Sequence, residues 1–154
     1  MFFETVNETE VGFSAGTTRQ FVTKLASSRV CLHSLLLMRN GKVFAEEYAP
    51  GYDKSFRHRL YSSSKTYVSA AVGVAIGEGL ITLETKVAAY FPDKLPENPH
   101  PYITDLTVRD CLIMATPFDE TPYRNYHTDW VKDFFTAEPT HRGGSIFNYD
   151  TGAT

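Results

Sequence analysis

Between Lys65 and Glu78 the chain carries no charged residue. That stretch holds Val68, Ala70, Ala71, Val72, Val74, Ala75 and Ile76, with Gly73 and Gly77 among them, and it runs on to Gly79. A polar opening, Leu60-Tyr61-Ser62-Ser63-Ser64-Lys65-Thr66-Tyr67, leads into it. Such a run predicts a helix apolar nearly all round, and so one buried in a core rather than lying on a surface. Its alanines and glycines permit close approach by neighbouring helices. Ser62 and Lys65 are three apart and share one face of the first turn. A hydroxyl at a helix N-terminus, beside an amine partly withdrawn from water, suits nucleophilic catalysis. The dipole favours developing negative charge there, and desolvation makes the neutral amine accessible. Ser and Lys are common, however, and a Ser-x-x-Lys arises by chance about once in a chain of this size. Ser at a helix start is ordinarily a cap. The pattern gains weight only from its context.

A length of 154 residues is enough for one domain with a real core, and 42% apolar residues with 14% aromatics argue against disorder. The net charge of −3 gives no reason to propose nucleic acid or an anionic membrane as partner. Cys31 and Cys111 both stand among apolar neighbours, which predicts buried free thiols rather than a disulfide. The histidines are scattered, so no metal site is expected. The opening Met1-Phe2-Phe3-Glu4 lacks a secretory pattern and no apolar run reaches spanning length. A cytoplasmic protein is the expectation.

Met1 to Gly16 predicts an extended or loosely packed lead-in. Thr17 or Thr18 can cap a helix through about Ser27, with Phe21, Val22 and Leu25 as its apolar stripe. His33 to Met38, the turn Arg39-Asn40-Gly41-Lys42 and Val43 to Tyr48 predict a hairpin, because Asn and Gly both tolerate positive φ. Lys54 to Arg59, carrying Lys54, Arg57, His58 and Arg59, reads as a solvated loop. Short apolar pieces follow at Leu80–Leu83 and Val87–Phe91, then a proline-rich loop from Asp93 to Pro101. Thr107-Val108-Arg109-Asp110 predicts a capping box, with Asp in the place of Glu, opening a short helix through Met114. Ala115 to Asn125 is turn-rich. Thr128 or Asp129 can cap a further helix that buries Trp130, Val131, Phe134 and Phe135. Tyr149-Asp150-Thr151 closes the chain after a Gly-Gly loop and Phe147.

Taken in order, these stretches resemble the penicillin-recognising serine hydrolases, and more closely the class C β-lactamase-related branch. His33–Leu37 with Arg39–Lys42 is similar to that family's opening hairpin. Tyr61-Ser62-Ser63-Ser64-Lys65 is similar to its nucleophile helix, and Gly77-Glu78-Gly79-Leu80-Ile81 to the end of that helix. Tyr90-Phe91-Pro92, Ile103–Asp110 and Ser145–Thr151 resemble the segments that follow, up to its tyrosine motif. The similarity runs from about residue 30 to the end.

The resemblance implies an α/β (α+β) fold of the β-lactamase/transpeptidase type, an antiparallel sheet with a helical lobe. Residues 1–59 would hold the N-terminal helix and hairpin, and 60–154 the helical lobe, as one incomplete domain. It further implies a serine hydrolase acting on an ester, amide or β-lactam-like small molecule through an acyl-enzyme, as D-alanyl-D-alanine peptidases and esterases do. The resemblance implies no organic cofactor. Ser62 would be the nucleophile, Lys65 would hold or exchange its proton, and Tyr149 would act as general base and then as acid. Thr151 would contact substrate; it stands where the family often has Asn, which favours a generic ester or amide over a β-lactam. Met114-Ala115-Thr116-Pro117 replaces a Ser-Gly turn of many relatives, an altered loop with no expected chemistry. Relatives continue to a Thr-Gly strand that supplies one oxyanion donor, a group worth about 2.7–4 kcal/mol. That strand does not occur before Thr154. The expectation is therefore the N-terminal part of an enzyme, with a hairpin edge open to self-association, or else a piece that binds without catalysing.

Overall fold

The computed structural model describes residues 3–122 and 129–154. It has two compact units, Met1–Arg59 and Leu60–Thr154.

In the first unit, helix α1 (Thr17–Ser27) and strands β1 (Ser34–Arg39) and β2 (Lys42–Tyr48) form as their patterns predict. The β1–β2 turn puts Asn40 at φ 51° and Gly41 at φ 75°, the two positive values that this tight hairpin turn requires. The antiparallel register pairs Leu37 with Ala45 and then Met38 with Val43, so Phe44 is an extra, bulged residue. Val43 and Ala45 of β2 are buried, and Leu35 and Leu37 of β1 are half-buried, with Leu37 directly opposite Ala45.

The lead-in is more ordered than expected. Val43 N–H donates to Glu4 O at 2.9 Å and Val6 N–H to Val43 O at 2.9 Å, which lays residues 4–6 alongside β2. The cap of α1 is also different. Its N-cap is Gly16, and neither Thr17 nor Thr18 caps through its hydroxyl; Glu8 accepts from Thr18 N–H at 2.7 Å and from Gly16 N–H. A carboxylate reaching an orphan helix donor is a stronger partner than a neutral hydroxyl. Within the α1 stripe Val22 and Leu25 are half-buried, whereas Phe21 is exposed. Cys31 is exposed, contrary to its apolar flanks, because residues 28–33 form no packed element.

The second unit opens with a 3₁₀ turn, Tyr61–Ser63, running straight into α2 (Ser64–Gly77). Its C-terminus is closed by Gly79 at φ 73°, with Gly79 N–H on Ile76 O at 3.0 Å and Leu80 N–H on Ala75 O at 2.9 Å. That pair of bonds is the Schellman closure, and only a residue free to take positive φ makes it cheaply. The predicted burial of α2 does not hold. No residue of α2 is buried, Val74 is 60% exposed, and only Lys65, Val72, Ala75 and Ile76 are half-covered. Being apolar all round states what a helix tolerates; neighbours decide what is covered.

The core gathers instead around Ala88, Ile103, Leu106, Phe118, Phe134 and Phe135. These come from the 3₁₀ turn Val87–Tyr90, from α3 (Pro101–Thr104) and its following loop, from the chain after α4 (Val108–Leu112), and from α5 (Trp130–Thr136). The expected capping box opens α4: Asp110 N–H donates to Thr107 Oγ1 at 3.2 Å, and Thr107 N–H to Asp110 Oδ2 at 3.0 Å. Asp129 caps α5 by accepting from Lys132 N–H at 3.0 Å, while Thr128, the other candidate, lies outside the described residues. Phe134 and Phe135 are buried as expected, but Trp130 is 57% and Val131 38% exposed. The core meets only the last turn of this short helix, so its first turn projects beyond. Cys111 packs on the core, and burial pushes its thiol up to about 12. Among the described residues no helix is long and apolar enough to cross a membrane.

Phe135, 2% exposed, is one of the core residues, and its ring packs near those of Phe91 and Phe134. Phe135→Ala is expected to cost about 3–5 kcal/mol and Thr107→Ala about 1 kcal/mol, read by denaturant unfolding.

Candidate active site

Ser62, Lys65, Tyr149 and Thr151 all belong to the second unit. Ser62 sits in the 3₁₀ turn that feeds α2, and Lys65 is the second residue of α2 itself. Tyr61, just before the serine, takes φ 46°. For a bulky aromatic that conformation is an outlier, and strain of this kind, about 1–3 kcal/mol, concentrates at functional sites. Nothing in the sequence flagged it.

Tyr149, 87 residues further along the chain, closes the constellation. Its hydroxyl donates to Ser62 Oγ at 2.7 Å. Lys65 Nζ stands 5.3 Å from the centre of the Tyr149 ring, within cation–π reach. The side chain is 53% exposed, so water reaches it. Its phenol is nevertheless held below the ordinary value of about 10. The hydrogen bond with Ser62 is the main cause, followed by Lys65, with a smaller contribution from the Thr151 hydroxyl. The hydrogen bond can reverse. Once the phenol ionises, its oxygen accepts and Ser62 donates, which is the geometry a general base needs before it removes the serine proton.

What brings Tyr149 there is a backbone ladder. Residues 114–117 accept from the returning segment: Thr140 N–H donates to Pro117 O at 2.9 Å, Gly144 N–H to Ala115 O at 2.8 Å, and Asn148 N–H to Met114 O at 2.8 Å. The Asn148 amide also donates to Phe118 O at 3.1 Å and to Asp119 O. Gly143 and Gly144 lie so near the Asp110 carboxylate that a Cβ on Gly144 would stand 2.7 Å from Oδ1. The Gly-Gly loop therefore has a packing reason as well as a turning one.

The family model described as Beta-lactamase matches residues 24–154. The chain belongs to the beta-lactamase family. A solved structure, the putative 6-aminohexanoate-dimer hydrolase from Bacillus anthracis, aligns with a TM-score of 0.62 at 17% identity, covering 99% of this chain and 45% of that one. A 6-aminohexanoate-dimer hydrolase of Paenarthrobacter ureafaciens is 36% identical over 63 residues, which are 41% of this chain and 16% of that protein. The chain thus spans less than half the length of the relatives it matches. The mixed fold, helices with an antiparallel two-stranded sheet, agrees with the β-lactamase-type architecture expected from the sequence.

Within this beta-lactamase family fold, Thr151 is exposed and opens a 3₁₀ turn, Thr151–Ala153. It also lines a cavity of about 360 Å³ with Val87, Phe91, Cys111, Trp130 and Phe134. Trp130 was legible as an aromatic but not as a cavity wall, because exposure of the first turn of α5 is a tertiary outcome. Among the described residues no group of His, Cys, Asp and Glu side chains could hold a metal ion.

A titration checks the geometry without any substrate. The difference in phenolate absorbance between wild type and Tyr149→Phe should report one tyrosine with a midpoint below 10. Ser62→Ala removes the leading cause and should move that midpoint upward, and Lys65→Met should do the same. A midpoint unchanged in both variants would contradict the arrangement.

Proposed function

We propose that this member of the beta-lactamase family is a serine hydrolase that forms an acyl-enzyme through Ser62 on a small ester or amide. The observation that carries this reading is the 2.7 Å contact between Tyr149 and Ser62, with Lys65 over the same ring. In the acylation step Ser62 Oγ bonds to the substrate carbonyl carbon and its proton passes to Tyr149. The C–N or C–O bond then breaks, and Tyr149 returns that proton to the leaving nitrogen or oxygen. Water reverses the sequence and frees Ser62. Lys65 supplies positive charge beside the phenolate throughout. Two relatives are named for hydrolysis of the 6-aminohexanoate dimer, two amino acids joined by an amide. Among the candidate substrates, small linear amides are therefore favoured over β-lactams.

Because Tyr149 works as the base, its phenolate is the active form. Acylation is therefore present above the Tyr149 midpoint and is lost as pH falls through it.

The test is intact mass spectrometry after exposure to a fluorophosphonate and, separately, to a penicillin, with peptide mapping. A single adduct on Ser62 is expected, absent in Ser62→Ala and slowed about 10²–10⁴-fold in Tyr149→Phe. An adduct on any other serine, with Ser62 untouched, would refute the assignment.

A second reading is that these residues bind and associate without catalysing. The open apolar surface of α2, with Val74 60% exposed, favours it. The outer edge of β1 adds to it, since among the described residues β1 has only β2 as strand partner, and Leu36 on β1 is 57% exposed. Sedimentation of the chain over a range of concentrations separates the two readings: association together with no adduct on Ser62 would favour the second.

A further inference from the structure

Asp150 is fully buried, beside a tyrosine that is 53% exposed. An aspartate is almost never buried so completely unless its oxygens are satisfied, and here each oxygen is. Thr116 Oγ1 donates to Oδ2 at 2.7 Å, Thr121 Oγ1 donates to Oδ1 at 2.6 Å, and Gly152 N–H donates to Oδ1 at 2.8 Å. Thr116 is itself 0% exposed, and the neighbouring Pro117 is fully buried as well. Thr116 O is also within hydrogen-bond distance of His141 Nε2, at 3.0 Å. The hydroxyl that meets Asp150 therefore projects from backbone that has little freedom to move.

We propose that Asp150 is a positioning residue, which holds the Tyr149 hydroxyl against Ser62 by fixing the backbone at position 150 to Thr116 and Thr121. The proposal rests on the serine-hydrolase reading of Ser62, Lys65 and Tyr149. The phenol ring, half in water, has little packing of its own to hold it. Its placement is inherited from the backbone on either side. On the N-terminal side Asn148 is bonded to Met114 and Phe118. On the C-terminal side Asp150 clamps Thr116 and Thr121. The tyrosine is thus suspended between two anchors that grip the same segment, residues 114–121. A catalytic group displaced by about 1 Å loses on the order of 10²-fold in rate, so a clamp adjacent to the base bears directly on chemistry. It also gives Met114-Ala115-Thr116-Pro117 a part in the site, where the sequence suggested an altered loop alone.

A purely structural role, in which Asp150 only caps the turn Thr151–Ala153, makes a different prediction. Three substitutions separate them: Thr116→Val and Thr121→Val, which remove one hydroxyl each at nearly constant shape, and Asp150→Asn. Each is followed by the Tyr149 difference titration, by the rate of Ser62 labelling with a fluorophosphonate, and by thermal unfolding. The expected result is a chain that still unfolds cooperatively, labels about 10–10²-fold more slowly, and has its Tyr149 midpoint moved up as the phenol leaves Ser62 and Lys65. Thr116→Ser, which restores the hydroxyl, should recover both readouts. Folded variants that keep the wild-type midpoint and labelling rate would overturn the proposal. So would unfolding of all three variants, since Asp150 would then determine folding rather than placement. If the wild type takes no label on Ser62 while the variants still shift the Tyr149 midpoint, the clamp stands and the serine chemistry falls. If the wild type labels and the variants match it, only the clamp falls.

Discussion

The second unit depends on a few hydrogen bonds between residues 114–118 and the segment that returns from Thr140 to Asn148, three of them backbone to backbone and one from the Asn148 side chain to Phe118 O. They tie residues 140–148 to the chain just after the short helix α4, and Cys111 of α4 packs in turn on the core. A buried backbone group left without a partner costs about as much as a lost hydrogen bond. Pairing the two strips therefore leaves the returning chain with one register, and Tyr149 lands where that register ends. The Gly143–Gly144 pair lets the strip pass close to Asp110, whose carboxylate is already committed to capping α4. Loop, cap and Tyr149 are one connected construction.

The helix that carries Lys65 relates differently to its surroundings. Its two ends are well specified, by the strained Tyr61–Ser63 turn at one and the Gly79 closure at the other. Its body is apolar on all sides and buried on none. The proposed nucleophile, Ser62, sits just before the N-terminal end, where the helix dipole acts.

The electrostatics of the site are local. Tyr149 is too exposed for distant charges to matter, because solvent screens them. What holds its phenol down is contact, first with the Ser62 hydroxyl and then with Lys65. Burial works the opposite way on Cys111, whose thiol is pushed up to about 12 within the core. Two titratable side chains in one unit are thus moved in opposite directions, one by partners and one by the lack of water.

Local rules carried much of this in the residues themselves. The Asn40-Gly41 turn, the Thr107–Asp110 capping box, the Gly79 helix end and the Ser62–Lys65 spacing each involve atoms a few positions apart, so propensity and geometry suffice to read them. Ser62 and Tyr149 could be named from the sequence only as separate motifs whose order resembled a family. Their meeting depends on a loop closed over 87 residues, which no local preference encodes. Trp130 and Val131 at the surface, the open flanks of α2, the exposed thiol of Cys31 and the Glu8 cap of α1 were decided in the same way. Periodicity states which side chains tolerate burial. Which of them are covered, and which carboxylate reaches which donor, follows from where the rest of the chain packs.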